Sequence, residues 1–383
     1  MLTFDINPTF ISIYSANTYF FVSSHEWLMV MLLVTKHGYV TGMKSSDMKS
    51  PSMKNKRPTL QDVANLVGVT KMTVSRFLRN PDQVSAPLQT KIAEALEDLG
   101  YIPNRAPDIL SKSKSHAIGV LLPSLTNQVF AEVIRGIESV VEPAGYQTML
   151  AHYGYSKEAE ESRIATLLSY SVDGLIISES YHTERVRKML AVAGIPVIEI
   201  MDSVSPPIEQ AIGIDNEAAA YAMTDFMIKR GRQKIVYFAA RMDQRTLFKI
   251  KGYETAMLDN GLTPLCLKTN SASSFTLGAT FLKDALQQQP DTDGIFCTND
   301  DLAIGALYAC QKAGIKIPQD ISIAGFHGHD ISRAMVPLLA TVITPREEMG
   351  RLAAEHLLSR LQGNSVSQRI IDLPFQIEPG ETI

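Results

Sequence analysis

The sequence predicts two architectures in one chain: an all-α helix-turn-helix headpiece, followed by an α/β two-lobed body built on parallel sheets. Three observations carry this. Between Thr59 and Gly100, apolar residues recur at spacings of three and four, interrupted by turn residues. From Ala117 onward, short apolar runs alternate with amphipathic stretches, many closed by a glycine. Charge follows the same division: the chain totals −4, yet residues 53–115 carry 10 basic against 6 acidic side chains and residues 116–383 carry 23 against 31. A basic module therefore precedes an acidic body, a balance suited to an anionic partner at one end only.

At 383 residues and 45% apolar, the chain can build two or three packed domains, which excludes wholesale disorder. Residues 1–52 stand apart as an N-terminal extension. They have no net charge, eight aromatics, no helix caps and no sustained period, and are expected to be disordered or to reflect a mis-assigned start, with Met43, Met48 and especially Met53 as alternatives. Their apolar run, Trp27 to Val34, is far short of the roughly 20 residues that cross a bilayer. No Lys or Arg precedes it and Lys36 follows, which is the reverse of a secretory signal. A cytoplasmic protein without a membrane partner is expected. Cys266, Cys297 and Cys310 form no C-x-x-C pair, so buried reduced thiols are expected rather than disulfides or a zinc knuckle.

The headpiece is assigned to residues 53–103. Thr59 with Asp62 has capping-box spacing, and Leu60, Val63, Ala64 and Val67 share one helical face until Gly68 breaks it. Thr70 caps a second helix to about Leu78, with Val74, Phe77 and Leu78 inward and Lys71, Met72, Ser75 and Arg76 outward. Asn80 and Pro81 end that helix. A third runs from about Pro87 through Leu88, Ile92, Leu96 and Leu99 to Gly100. Residues 53–79 hold six basic side chains and one acid, concentrated where such a unit meets DNA, so phosphate neutralisation and guanine recognition by Arg or Lys are expected.

The run L-Q-D-V-A-N-L-V-G-V-T-K-M-T-V-S-R-F-L-R-N-P, followed by V-S and then Y-I-P-N-R-A, resembles the headpiece of the lactose-repressor (LacI/GalR) family. The resemblance implies that Lys71, Met72 and Arg76 read base edges, with Thr70 and Ser75 nearer the phosphates. It also implies a hinge helix and linker over residues 104–115, in which Leu110 wedges into the operator's minor groove. Arg79 stands where the family usually has Asn, and Pro107 requires the hinge helix to begin at about Asn104 or Arg105.

In the body, residues 116–383, strands are expected at Ile118–Leu122, Thr148–Ala151, Gly174–Ile177, Val197–Ile200, Ile235–Ala239, Ile295–Thr298 and Ile321–Phe326. Intervening helices close at Gly145, Gly194, Gly231 and Gly314. Ligands in such sheets bind beyond the strands' carboxyl ends. There the sequence places Ser124–Phe130, Ser178–Ser180, Arg241–Lys249, Asn299–Asp301 and His327–Asp330, a set of cations, acids and an aromatic suited to a polyol bearing an anionic group. The body resembles the family's periplasmic-binding-protein-like effector domain, with T-N-D and G-F-H-G-H-D in place of A-N-D and G-[FY]-D-[DN]. That resemblance implies a small-molecule sugar-acid effector, gluconate or a relative. Phe130 would line its cleft, Arg245, Lys249, His327 and His329 would meet its carboxylate, and Asp300 and Glu179 would accept from its hydroxyls.

Two other functions compete. His327, His329 and Asp330 offer a metal-like spacing but no completed ligand set, and no nucleophile elbow or phosphate loop is present, so neither catalysis nor a metal or cofactor is expected. An exported sugar-binding protein conflicts with the headpiece. The sequence thus predicts a homodimeric repressor of double-stranded operator DNA, with an activator or a corepressor-dependent repressor of the same architecture as the alternatives, since both share nearly every feature. The strand-like I-I-D-L-P-F-Q-I segment near Ile383, with no heptad tail, favours a dimer over a tetramer.

Overall fold

The computed structural model describes residues 57–104 and 114–383, together with three short strands nearer the N-terminus and residue 109. Leu110 and most of the expected hinge helix lie outside the described residues. The chain divides into two compact units between Pro103 and Asn104.

In the first unit, β1 (Ile6–Asn7), β2 (Phe10–Ser15) and β3 (Thr18–Ser23) form an antiparallel sheet in that order. This differs from an extension without regular elements. The physical reason lies in F-I-S-I-Y-S and T-Y-F-F-V-S, whose β-branched and aromatic residues favour paired strands.

The headpiece forms as its periodicity requires. Helix α1 (Leu60–Val67) opens with the complete Thr59–Asp62 capping box and closes at Gly68 with φ of 76°. Helix α2 (Lys71–Arg79) starts at Thr70, whose hydroxyl accepts from the Thr73 amide, and α3 (Ala86–Asp98) runs to Leu99. Val63, Ala64, Val74, Ile92 and Ala95 make the buried centre, with Leu60, Phe77, Leu78 and Leu88 packed around it.

The second unit holds two six-stranded sheets, each with helices on both faces. In the first lobe are β4 (Ala117–Leu122), β5 (Gln147–His152), β6 (Gly174–Ile177), β7 (Val197–Asp202) and β8 (Gln210–Ile214). The second lobe has β9 (Ile235–Ala240), β10 (Leu265–Thr269), β11 (Gly294–Cys297), β12 (Ser322–His327) and β13 (Ala340–Ile343). Every pair among these strands is parallel, as the βα alternation predicts. The C-terminal apolar segment does not form one strand: β14 (Ile370–Asp372) joins β8 in the first sheet, and β15 (Gln376–Glu378) pairs antiparallel with β13 in the second. Pro374 lies between them and lacks the amide a continuous ladder needs. Thr298 falls outside β11, and β8, β10 and β13 are additions to the sequence-based elements.

In chain order the body's helices are α4 (Val129–Val141), α5 (Lys157–Ser169), α6 (Glu184–Ala193), α7 (Asn216–Lys229), α8 (Gln244–Asp259), α9 (Phe275–Gln288), α10 (Asp300–Ala313), α11 (Asp330–Ala334) and α12 (Arg346–Leu361). Although α12 follows a second-lobe strand, it packs on α4 and on β6, β7 and β8 of the first lobe. Glycine makes that approach possible. A Cβ at Gly136 would lie 2.0 Å from the Glu347 carbonyl oxygen, and one at Gly350 would lie 2.1 Å from that of Val133. The crossing therefore tolerates no side chain at either position.

Candidate functional site

On the headpiece, Lys71, Met72 and Arg76 are exposed on α2, with Met72 at 70% exposure, while Val74 beneath them is buried. A thioether left in water on a helix between two cations is available for an apolar contact such as a thymine methyl. Ser75 is half-buried rather than fully outward. Thr70 is committed to the helix start: its hydroxyl meets that of Thr73 at 2.9 Å and accepts from the Thr73 amide at 3.2 Å. Thr70→Ala should cost about 1 kcal/mol of headpiece stability, read as a lower melting temperature, with Thr70→Ser close to wild type.

In the body, strand ends from both lobes face a cavity of about 40 Å³ lined by Asn127, Phe130, Tyr155, Arg241, Asp243, Arg245, Lys249, Asn299 and His327, among others. It adjoins a wider mouth of about 620 Å³ that shares Tyr155, Arg241 and Asp243 and adds Ser124, Thr126 and His152. Arg245, near the start of α8, spans the lobes. It donates to the Ser178 carbonyl at the end of β6 (3.2 Å) and to Asp243 Oδ2 (2.8 Å), and its guanidinium lies 6.0 Å from the Phe130 ring centroid. Although burial opposes its charge, Asp243 and the nearby acids hold that charge firmly.

Lys249 sits one helical turn further on, fully inside. Its Nζ donates to the Thr298 carbonyl and meets His327 Nε2, both at 3.2 Å, above the Phe326 ring at 3.8 Å. Burial, then the Arg245 charge, lower its pKa to about 7 despite Asp243 and Asp300. His327 reaches the cavity as expected, but it does not add positive charge. Burial, with Lys249 and Arg346 beside it, pushes its pKa well below the ordinary 6.5, so the ring is neutral. The Lys249 contact assigns Nε2 as acceptor, which leaves Nδ1–H to face Thr344 Oγ1 at 3.3 Å. Its backbone, at φ of 102°, occupies a region disfavoured for a side-chain-bearing residue.

The other expected effector residues sit elsewhere. Asp300 is buried as the first residue of α10. Its Oδ2 accepts from the His329 amide (2.6 Å) and its Oδ1 from the Thr341 hydroxyl (2.7 Å), so it braces the loop after β12 instead of facing the cavity. Its neighbour Asn299 lines the cavity and caps α10. His329 is buried outside the lining, with Nδ1 3.7 Å from Asp301 Oδ1. Glu179 is likewise absent from the lining: it pairs with Lys157 at 3.0 Å and accepts from the Ser180 amide at 2.9 Å. Its loop is fixed further by His182, held between Glu160 (2.6 Å) and Glu199 (3.0 Å). Burial alone would lower the His182 pKa, but these two carboxylates prevail and raise it to about 9.

Sequence reasoning missed Arg346. It is buried at the start of α12, donates to the His327 carbonyl and, at 3.1 Å, to Thr344 Oγ1, and forms an ion pair with Glu132 of α4 at 2.9 Å. It ties the cavity wall of the second lobe to a helix of the first. Among the described residues, no group of acids, histidines and cysteines is arranged to hold a metal, and no helix is long and apolar enough to cross a membrane.

A basic reading helix ahead of a two-lobed body with a cavity between its lobes defines a ligand-responsive DNA-binding regulator. Residues 59–104 match the model for bacterial regulatory proteins of the lacI family, and residues 115–378 match that for periplasmic binding proteins and the sugar-binding domain of the LacI family. The chain is 59% identical to the HTH-type transcriptional regulator GntR of Escherichia coli K12 over 331 residues, which cover 86% of this chain and all of that relative. It is 46% identical to the HTH-type transcriptional regulator IdnR of the same organism, over 86% of this chain and all of that one. A solved LacI-family transcriptional regulator from Silicibacter pomeroyi has a TM-score of 0.80 at 34% identity, covering 85% of this chain and 99% of that one. The chain belongs to the LacI family and is a DNA-binding transcriptional repressor with an effector-binding domain, not an enzyme.

Proposed function

We propose that the protein acts in the cytoplasm as a homodimer, repressing sugar-acid utilisation genes until gluconate or a close relative occupies the cavity. One observation carries the ligand class: Arg241, Arg245 and Lys249 line the cavity against a single acid, Asp243. Asp243 is already engaged by Arg245, so a carboxylate entering the cavity meets net positive charge. Asn127, Thr246, Ser273 and Asn299 supply partners for hydroxyls, and Phe130 and Tyr155 supply apolar ring faces. The inner cavity of about 40 Å³ has room for a few waters, and a sugar acid would reach it through the wider mouth as the lobes part. On the DNA side, Lys71, Met72 and Arg76 read base edges, Thr70 and Ser75 approach phosphates, and Leu110 enters the minor groove. The two headpieces of a dimer would grip half-sites of a near-palindrome.

Calorimetric titration with gluconate, idonate, a keto-gluconate, a phosphorylated derivative and uncharged sugars tests the ligand class. Binding confined to uncharged sugars overturns it. Lys249 adds a pH signature. A carboxylate stabilises its ammonium form, so binding should take up close to one proton at pH 8 and few at pH 6, and affinity should fall as pH rises above about 7. Titrations in buffers of different ionisation enthalpy read this directly. Lys249→Met should remove the uptake.

A further inference from the structure

We infer that Asp173 is a positioning residue that clamps the linker between headpiece and body to the first lobe, so that events in the effector cavity reach the DNA-binding module. Asp173 precedes β6. Its Oδ1 accepts from the Ser115 amide (2.8 Å) and hydroxyl (3.0 Å), and its Oδ2 accepts from the His116 amide (3.0 Å). Ser115 and His116 are where the chain from the headpiece enters β4. Ser115 is buried, and its hydroxyl oxygen also accepts from the Ala117 amide at 3.2 Å, so the carboxylate fixes both the position and the direction of the entering backbone.

A rigid element joins this clamp to the cavity. Helix α12 begins at Arg346, which donates to the carbonyl of the cavity residue His327, and ends at Leu361. Leu361 lines a pocket of about 330 Å³ together with Lys114, Tyr146 and Asp173. A 16-residue helix spans about 24 Å, and along that length α12 lies against β6, whose entry Asp173 controls. A shift of Arg346 when the lobes part therefore bears on the site where the linker is held. This is a contiguous physical path with an identifiable element, and its coupling is measurable.

The second lobe contains the same device without the connection. Asp293 precedes β11, and its carboxylate accepts from the Gln233 amide (2.9 Å) and the Lys234 amide (2.8 Å) just before β9. Both aspartates secure the entry to a central strand, but only Asp173 secures the chain that arrives from the headpiece. A purely structural role predicts equivalent variants, whereas the linker clamp predicts unequal ones.

The experiment uses the full chain, an operator duplex selected by the wild-type protein, and gluconate as probe; that probe rests on the effector reading above. Asp173→Asn and Asp293→Asn, each isosteric, are compared by melting temperature, gluconate affinity and operator affinity with and without gluconate. Both should melt lower by similar amounts and bind gluconate within about twofold of wild type, while the gluconate-induced loss of operator affinity shrinks at least about fivefold in Asp173→Asn only. Without gluconate, Asp173→Asn should bind operator at least about fivefold more weakly and Asp293→Asn should match wild type. Equal effects of the two variants on operator binding overturn the inference. If wild-type operator binding ignores gluconate, the effector reading fails on its own, and the ligand-free comparison still decides the clamp.

Discussion

Arg245→Met should lower effector affinity by about 100-fold or more while leaving operator binding in the absence of effector near the wild-type value. The expectation follows from where the guanidinium sits. It provides charge that neutral His327 does not and that Lys249 provides only in part near pH 7. It also holds Asp243, whose carboxyl burial would push up but which the Arg245 charge and hydrogen bond, with the Thr246 amide and Lys249, bring below the usual range. Removing the cation leaves that buried carboxylate unpaired beside an anionic ligand, a change of about 2–5 kcal/mol for truncation of one partner of a buried charge pair. Calorimetry measures the first effect and a gel shift the second. Effector affinity within about threefold of wild type would show that the carboxylate is held elsewhere.

The second large effect belongs to the headpiece. Arg76→Ala should weaken operator binding by about 1–3 kcal/mol per half-site and relax the preference for one base pair in each, because a bidentate guanidinium–guanine pairing carries sequence information. Arg79→Ala, altering a cation at the end of the same helix, should instead weaken all duplexes alike and lower the salt slope by about one for each phosphate no longer neutralised. Selection of bound duplexes from a randomised pool distinguishes the two. An unchanged sequence preference in Arg76→Ala would remove that residue from base reading. Circular dichroism should show the headpiece helices intact, since Arg76 is exposed.

The headpiece was legible because its information is local. The capping box at Thr59, the break at Gly68 and the inward positions of Val63, Val74 and Ile92 all follow from a period of 3.6 and from caps within a few residues. The body was legible at the level of βα alternation, and strand ends correctly indicated where the cavity is. The direction of a side chain at a strand end was not legible. Asn299 and Asp300 are adjacent, yet the first faces the cavity and the second turns inward to the His329 amide and Thr341, partners far away in sequence. Glu179 was drawn away by Lys157 from a neighbouring helix, and His329 was buried by its turn. That His327 is neutral was not legible for a related reason. Its titration depends on burial and on Lys249 and Arg346, neither of which is near it in the chain. Arg346 carried no signal at all, because its place behind the cavity residue His327, paired with Glu132, arises only when α12 crosses back to the first lobe.

If a sugar acid fills the cavity as proposed, it and operator DNA at the headpiece should each change the affinity for the other, and titration of gluconate into the protein alone and into the protein saturated with operator measures that coupling. Linkage requires the factor by which gluconate weakens operator binding to equal the factor by which operator weakens gluconate binding, typically about 5–150-fold. Equal gluconate affinity with and without operator would mean that the cavity and the headpiece are not coupled.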